Sequence, residues 1–403
     1  MDEVTTGERL RTLRRWRGKT QAEVAGLAGL SQSFVSMIEN GQRPLDRRSD
    51  IAALASALKV SETDLVGGPH LSSDRQQSDP HLVVPALRMA LMTNSLCEPA
   101  VEQARPLPEL VRELSRIAPL HMNCDYVTSG TPLPALLDEL HCHVAQPADE
   151  AALRLAIESL VEACFLATAE AKDLGYNDLA WAAASRADEA ARLLDDPIQI
   201  GKAAFQRVLT QPRAGSWGRT LATAERAVNA LEPHANDEAS IPVLGMLTLS
   251  AALSAAAVQD VGQTDHWLDV SSELAARVPD TPSENWQSFS KTNVGIWRVA
   301  IDVERGYSGG AVLKYADSIQ EGKLAYRKGR HATLLADVGR GLAREAQTRD
   351  DAVRYLRRAE DIAPQYIRNN RAVRETVSYL LNRSRANAGG RELRGIAARM
   401  GVQ

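Results

Sequence analysis

Between Thr20 and Gly41 the chain carries start and stop signals for two helices of eight or nine residues, set three or four residues apart. Thr20 is a natural N-cap for the run QAEVAGLA, and Glu23 completes a capping box three residues on. Gly29 supplies a tight turn, since glycine tolerates positive φ. Ser31 caps the second run, QSFVSMIEN, which stops at Gly41. Two short helices around one glycine describe a helix-turn-helix corner. The flanks agree with it. GERLRTLRRWRG places Leu10 and Leu13 one turn apart, with Trp16 extending the apolar stripe of a first helix. Pro44 breaks the chain, RRSDIAALASALKV predicts a fourth helix and SETDLV a capped fifth. Ala25, Leu30, Val35, Ile38, Ile51, Leu54, Leu58 and Leu65 are the expected core of this small domain.

Charge singles out the same region. The chain as a whole is slightly acidic, with 47 basic and 51 acidic residues. Between residues 9 and 48, however, nine basic residues face three acidic ones, a local basic patch of the kind that meets a polyanion.

Thr20-Gln21, Ala25, Gly29, Ser31, Ile38-Glu39-Asn40-Gly41 and the tail Leu54, Leu58, Val60, Leu65 together resemble the lambda-repressor-like (XRE) helix-turn-helix family, without gaps over about 60 residues. That resemblance implies a five-helix DNA-binding domain over 1–67 and a role for each matching residue. Ser31, Gln32, Ser33 and Ser36 would face the duplex from the recognition helix, with Gln32 placed for a bidentate contact to adenine. Met37 would offer only apolar contact, for example to a thymine methyl. Gln21 resembles a phosphate anchor that also braces Gln32, while Asn40 and Arg43 would hold phosphate or reach the minor groove. Arg14 and Glu39 match a structural ion pair that locks the first helix to the recognition helix. Phe34 departs from the pattern and is read as a core residue, with contact to the DNA backbone as the alternative.

The stretch GGPHLSSDRQQSDP at 67–80 has the composition of a hinge and sets a linker over 68–80. Beyond it, residues 81–403 read as helix after helix. Only 4% of the chain is aromatic, and its apolar content is mostly Ala and Leu, which favours close-packed helices over sheets. Pro197, Pro233, Pro279 and Pro364 are expected to close helical segments. Leu334 to Pro364 is the clearest unit, with Ala352, Leu356, Ala359 and Pro364 at the offsets of a tetratricopeptide repeat's second helix; Trp267, Ser271, Leu274 and Pro279 repeat the theme. The expected fold class is therefore all-α, a helix-turn-helix domain followed by a curved, right-handed tetratricopeptide-like solenoid.

Together the two parts resemble bacterial ligand- or peptide-responsive regulators, and also actinobacterial regulators that end in sequences like GRELRGIAARMGV at 390–402. The resemblance implies a cytoplasmic homodimer on a palindromic operator in double-stranded DNA, with half-sites about 34 Å apart, and a solenoid that dimerises and senses a peptide or small molecule. Polar and aromatic residues on first helices of the hairpins are the candidate ligand contacts: Asn293, Trp297, Arg298, Asp337, Asn370 and Asn382. The competing reading is a protein-interaction scaffold in which DNA binding is secondary.

Other classes find little support. The charge-free run Ile241–Gln259 contains Pro, Gly, Ser and Thr and reads as a buried helix rather than a membrane span. The N-terminus lacks the apolar core of a signal peptide, and the four cysteines form no CxxC pair. His121, Cys124, His141, Cys142 and His143 fit no zinc-finger spacing, so no metal or other cofactor is expected. No P-loop, GxGxxG, HExxH or GxSxG occurs, and no enzymatic activity is expected.

Overall fold

The structure, a computed structural model, describes residues 5–69, 78–211, 217–281, 285–384 and 390–402. Its first five helices are α1 (Thr6–Trp16), α2 (Gln21–Ala28), α3 (Gln32–Glu39), α4 (Arg48–Leu58) and α5 (Glu62–Val66). Local sequence starts and stops most of them. Thr5, Thr20 and Ser61 each form a reciprocal capping box, and Ser31 Oγ accepts the Phe34 N–H. Gly29 ends α2 at φ +67°, in the left-handed region where a side chain would be strained. Leu10, Ala25, Val35, Ile38, Leu54, Leu58 and Leu65 are buried together with Val24, Phe34 and Leu45, while Leu30 and Ile51 pack at the edge. Phe34 is thus a core residue. Trp16 is not: it is 69% exposed, beneath the Arg17 guanidinium at 4.2 Å. The helical period carries Trp16 along the Leu10–Leu13 stripe, but at the last residue of α1 nothing remains to cover it.

A second set of helices begins with α6 (Val84–Thr93), α7 (Leu107–Met122), α8 (Tyr126–Gly130) and α9 (Leu133–Ala145); the last three gather against α10 (Glu150–Asp173), and α6 packs on α9. Hairpins follow: α10 with α11 (Asn177–Arg192), α12 (Pro197–Thr210) with α13 (Trp217–Leu231), α14 (Ser240–Ala257) with α15 (Val261–Ala275), and α16 (Lys291–Arg305) with α17 (Gly310–Ala316). The last full hairpin pairs α18 (Lys328–Ala343) with α19 (Arg349–Ile362), before α20 (Pro364–Asn369), α21 (Arg371–Ser384) and α22 (Arg391–Arg399). First helices of successive hairpins touch one another, so α10, α12, α14, α16 and α18 form one continuous row and the whole is a helical solenoid. Alanine makes this stacking close. Ala180, Ala183, Ala184, Ala187, Ala190 and Ala191 on α11 are all buried, and a side chain of one carbon lets neighbouring helices approach.

Helix α14 has the length and hydropathy of a membrane span, yet 94% of that window is buried among its neighbours. Pro197, Pro233, Pro279 and Pro364 each follow the end of a helix, and Pro197 and Pro364 also occupy the first position of the next one, where the missing N–H is not needed. Pro233 lies in a short 3-10 turn, Glu232–His234, and Pro279 follows α15.

The helix-turn-helix unit rests on the solenoid through desolvated charge. The Asp46 carboxylate is buried between Arg344 (3.2 Å) and Arg340 (3.5 Å), and Arg340 also holds Asp337 at 2.7 Å. Burial alone would raise the Asp46 pKa, but the two guanidiniums outweigh it and hold the group below its ordinary value. Beside this cluster, Glu304 at the end of α16 accepts the Ser49 N–H at 3.0 Å and pairs with Arg48 at 3.1 Å. Arg47, the N-cap of α4, supplies no side-chain cap. A carboxylate 255 residues away therefore caps this helix. Within the expected linker, residues 70–77 lie outside the described residues, and Pro69 packs against Gly175 of the solenoid.

Candidate nucleic-acid interface

The recognition helix α3 is eight residues long, buries Phe34, Val35 and Ile38, and leaves Gln32 and Ser33 exposed on its outer side. Ser36 and Met37 are half-buried on the same outer side. Gln32 makes no side-chain hydrogen bond among the described residues, which leaves its amide available to a base edge. Ser33 Oγ lies 3.0 Å from Ser31 Oγ, so the cap and the first outward hydroxyl are linked.

What holds this helix in place is Glu39, whose side chain is fully buried. Arg14 grips it with two bonds, Nε to Oε1 at 2.6 Å and a terminal nitrogen to Oε2 at 2.8 Å. Gln21 Nε2 donates to Oε2 at 2.9 Å. Burial works to raise the Glu39 pKa, yet the bonds from Arg14 and Gln21 bring it below its ordinary value, and Arg14 is raised in turn. Three helices are thereby fixed by one carboxylate: α1 through Arg14, α2 through Gln21 and α3 through Glu39. Gly7 brings α1 and α3 into direct backbone contact, because a Cβ there would run into the Ile38 carbonyl.

The remaining candidates surround this frame. Gln21 braces Glu39 rather than Gln32. Asn40 accepts from Arg11 at 2.7 Å and lies 3.4 Å from Ser36 Oγ, while the exposed Arg43 stacks over Phe34 at 4.4 Å. Arg11 is a participant that sequence reading missed. Its position three residues before Arg14, on the same helix face, was the available signal. The solenoid touches the domain just behind this surface: Arg383 donates to the Gln42 carbonyl at 3.2 Å.

The six candidate ligand residues do not converge. Asn293 and Trp297 lie one turn apart on α16, and the buried Asn293 Oδ1 and Trp297 Nε1 lack a hydrogen-bond partner among the described residues. Arg330 lies over the Trp297 ring at 5.8 Å. Arg298 stacks on Tyr315 at 4.8 Å, and Asn370 accepts the Val373 N–H at 3.3 Å. Asp337 is held by Arg340 beside the domain contact, and Asn382 faces Gly41 in the turn after the recognition helix. The His and Cys cluster disperses as well. His141 bonds the Leu137 carbonyl and Arg186, with burial lowering its pKa to about 4, while His121 lies 3.8 Å from Glu170.

A capped recognition helix, an exposed polar face and a buried carboxylate that fixes three helices define a helix-turn-helix DNA-binding domain. A family model described as a helix-turn-helix domain matches residues 6–66, the span of these five helices. No curated protein and no solved structure matches the chain.

Proposed function

We propose that this protein is a sequence-specific, non-enzymatic transcription regulator that acts in the cytoplasm as a homodimer on a palindromic operator. In this reading Gln32, Ser33, Ser36 and Met37 meet base edges, while Gln21, Ser31, Asn40 and Arg43 meet the phosphate backbone. The tetratricopeptide-like solenoid supplies the dimer contact and responds to a peptide or small molecule. The observation that carries the reading is the exposed amide of Gln32, unbonded among the described residues, on a helix held from behind by Glu39. The test is selection of a preferred duplex from random sequence, followed by titration of Gln32→Ala. Loss of a base contact costs roughly 1–3 kcal/mol at one position of each half-site and relaxes the preference there. Arg43→Ala instead weakens all duplexes alike and flattens the salt dependence. Unchanged discrimination by Gln32→Ala refutes the assigned face.

A further inference from the structure

Where the helix-turn-helix unit meets the solenoid, a cleft of about 530 Å³ opens between the two. Arg47, from the reading unit, forms one wall; the turn after α14 and the start of α15 contribute Gln259, Asp260 and Val261, and the end of α16 contributes Arg305 and Tyr307. This volume suits a small organic molecule, and pockets of that kind favour domain junctions.

The lining favours an anion with an apolar body. Arg47 donates Nε to the Glu304 carbonyl at 3.0 Å and its charge also acts on the buried Asp50, but its terminal nitrogens have no hydrogen-bond partner among the described residues. Arg305 pairs with Asp265, but that carboxylate is half exposed and water competes for the pair, so an incoming oxyanion can share the guanidinium. Among the described residues, Asp260 is the one carboxylate lining the cleft, and its Oδ1 caps α15 by accepting the Gln263 N–H at 2.9 Å. Val261 and Tyr307 are 55% and 45% exposed, and the Arg305 guanidinium lies over the Tyr307 ring at 5.8 Å, so charge and apolar surface adjoin. Gln259 holds φ +63° where glycine would be easier, and its amide is exposed and unbonded among the described residues. Gly306, at φ +99°, lies beside the Arg47 guanidinium, which is at ordinary contact distance from where its Cβ would be.

We propose that this cleft is an effector site for a small amphipathic anion, its oxyanion head between Arg47 and Arg305 and its apolar body against Val261 and Tyr307. The proposal rests on the regulator reading and gives its effector a place and a chemical class. Because Arg47 is the N-cap of α4, an occupant tied to it braces the reading unit on the solenoid. Binding and docking are then thermodynamically linked.

Anilinonaphthalene sulfonate, an oxyanion on an aromatic body, is a suitable probe for the full-length protein. The expected result is saturable one-site fluorescence, weakened about tenfold or more by Arg305→Gln and by Arg47→Gln, as for loss of one charge-assisted contact. Amide exchange over residues 47–51 slows when the probe is bound. Equal binding by both variants overturns the assignment, as does loss of binding in Arg330→Gln, which would place the site beside Trp297. Duplex binding is measured on the same protein without probe. Retained duplex binding with no cleft binding refutes the effector site alone; the reverse pattern refutes the regulator reading and leaves the cleft standing.

Discussion

Replacing Glu304 by alanine tests how the two parts of the molecule are joined. The carboxylate is buried, accepts the Ser49 N–H at 3.0 Å and pairs with Arg48 at 3.1 Å. Losing a helix N-cap costs about 1 kcal/mol, and here no neighbouring side chain replaces it, since Arg47 is the local N-cap residue. The buried Ser49 N–H left without an acceptor costs about 1–3 kcal/mol, a figure that overlaps the capping loss and does not add to it. The Arg48 side chain is 36% exposed, so water screens that pair and its loss contributes no more than about 1 kcal/mol. One effect has the opposite sign. Burial raises the Asp50 pKa and the Glu304 charge raises it further, so the substitution eases Asp50. The net expectation is a loss of about 2–3 kcal/mol in urea denaturation, with faster amide exchange at residues 48–51 and little change in the solenoid. A variant within about 0.5 kcal/mol of the parent, with unchanged exchange in α4, refutes capping by the solenoid.

Three further outcomes follow from the geometry. Glu39→Gln keeps the shape but removes the charge that Arg14 grips; it should destabilise the reading unit by about 2–4 kcal/mol in denaturant titration, and an unaffected midpoint would show the carboxylate to be dispensable. Gly245→Ala places a methyl against the Phe289 ring in the middle of the buried helix α14, with an expected loss of about 1–3 kcal/mol by thermal melting; equal or higher stability would mean the ring yields freely. The pH profile should have two parts. Glu170 and Glu375 are raised by burial, so their charge opposes folding at neutral pH, and stability should grow as pH falls and they take up protons. Asp46, Glu39 and Glu360 are lowered despite burial by paired arginines, so their contribution is present above about pH 4 and is lost as pH falls further through their folded values. Urea titrations across that range that showed stability falling steadily from pH 7 would contradict this assignment.

Much of the reading unit was legible from residues close together in the chain. Thr20 with Glu23, Ser31 with Phe34 and the left-handed Gly29 act over two to four positions, so a contiguous string contains both partners. The alternation of solenoid helices was legible for the same reason, as was the burial of the apolar run now seen as α14. Trp16 misled because periodicity reports which face a residue shares, not whether a neighbour reaches that far along the helix. The scattered ligand candidates show a related limit: a polar residue on a first helix has no visible partner until the next hairpin is in place, and Asp337 then meets Arg340 while Asn382 meets the turn at Gly41.

The chain's local code thus specifies where its helices begin and end and which side of α3 looks outward. Only the folded arrangement settles what that unit stands on. Asp46 finds Arg340 and Arg344 almost 300 positions later, and Glu304 caps a helix 255 residues before it. Those meetings depend on the accumulated rotation of stacked hairpins, which no short stretch of sequence contains, and they bring Arg47 at the start of α4 to the wall of an open cleft that also holds Arg305.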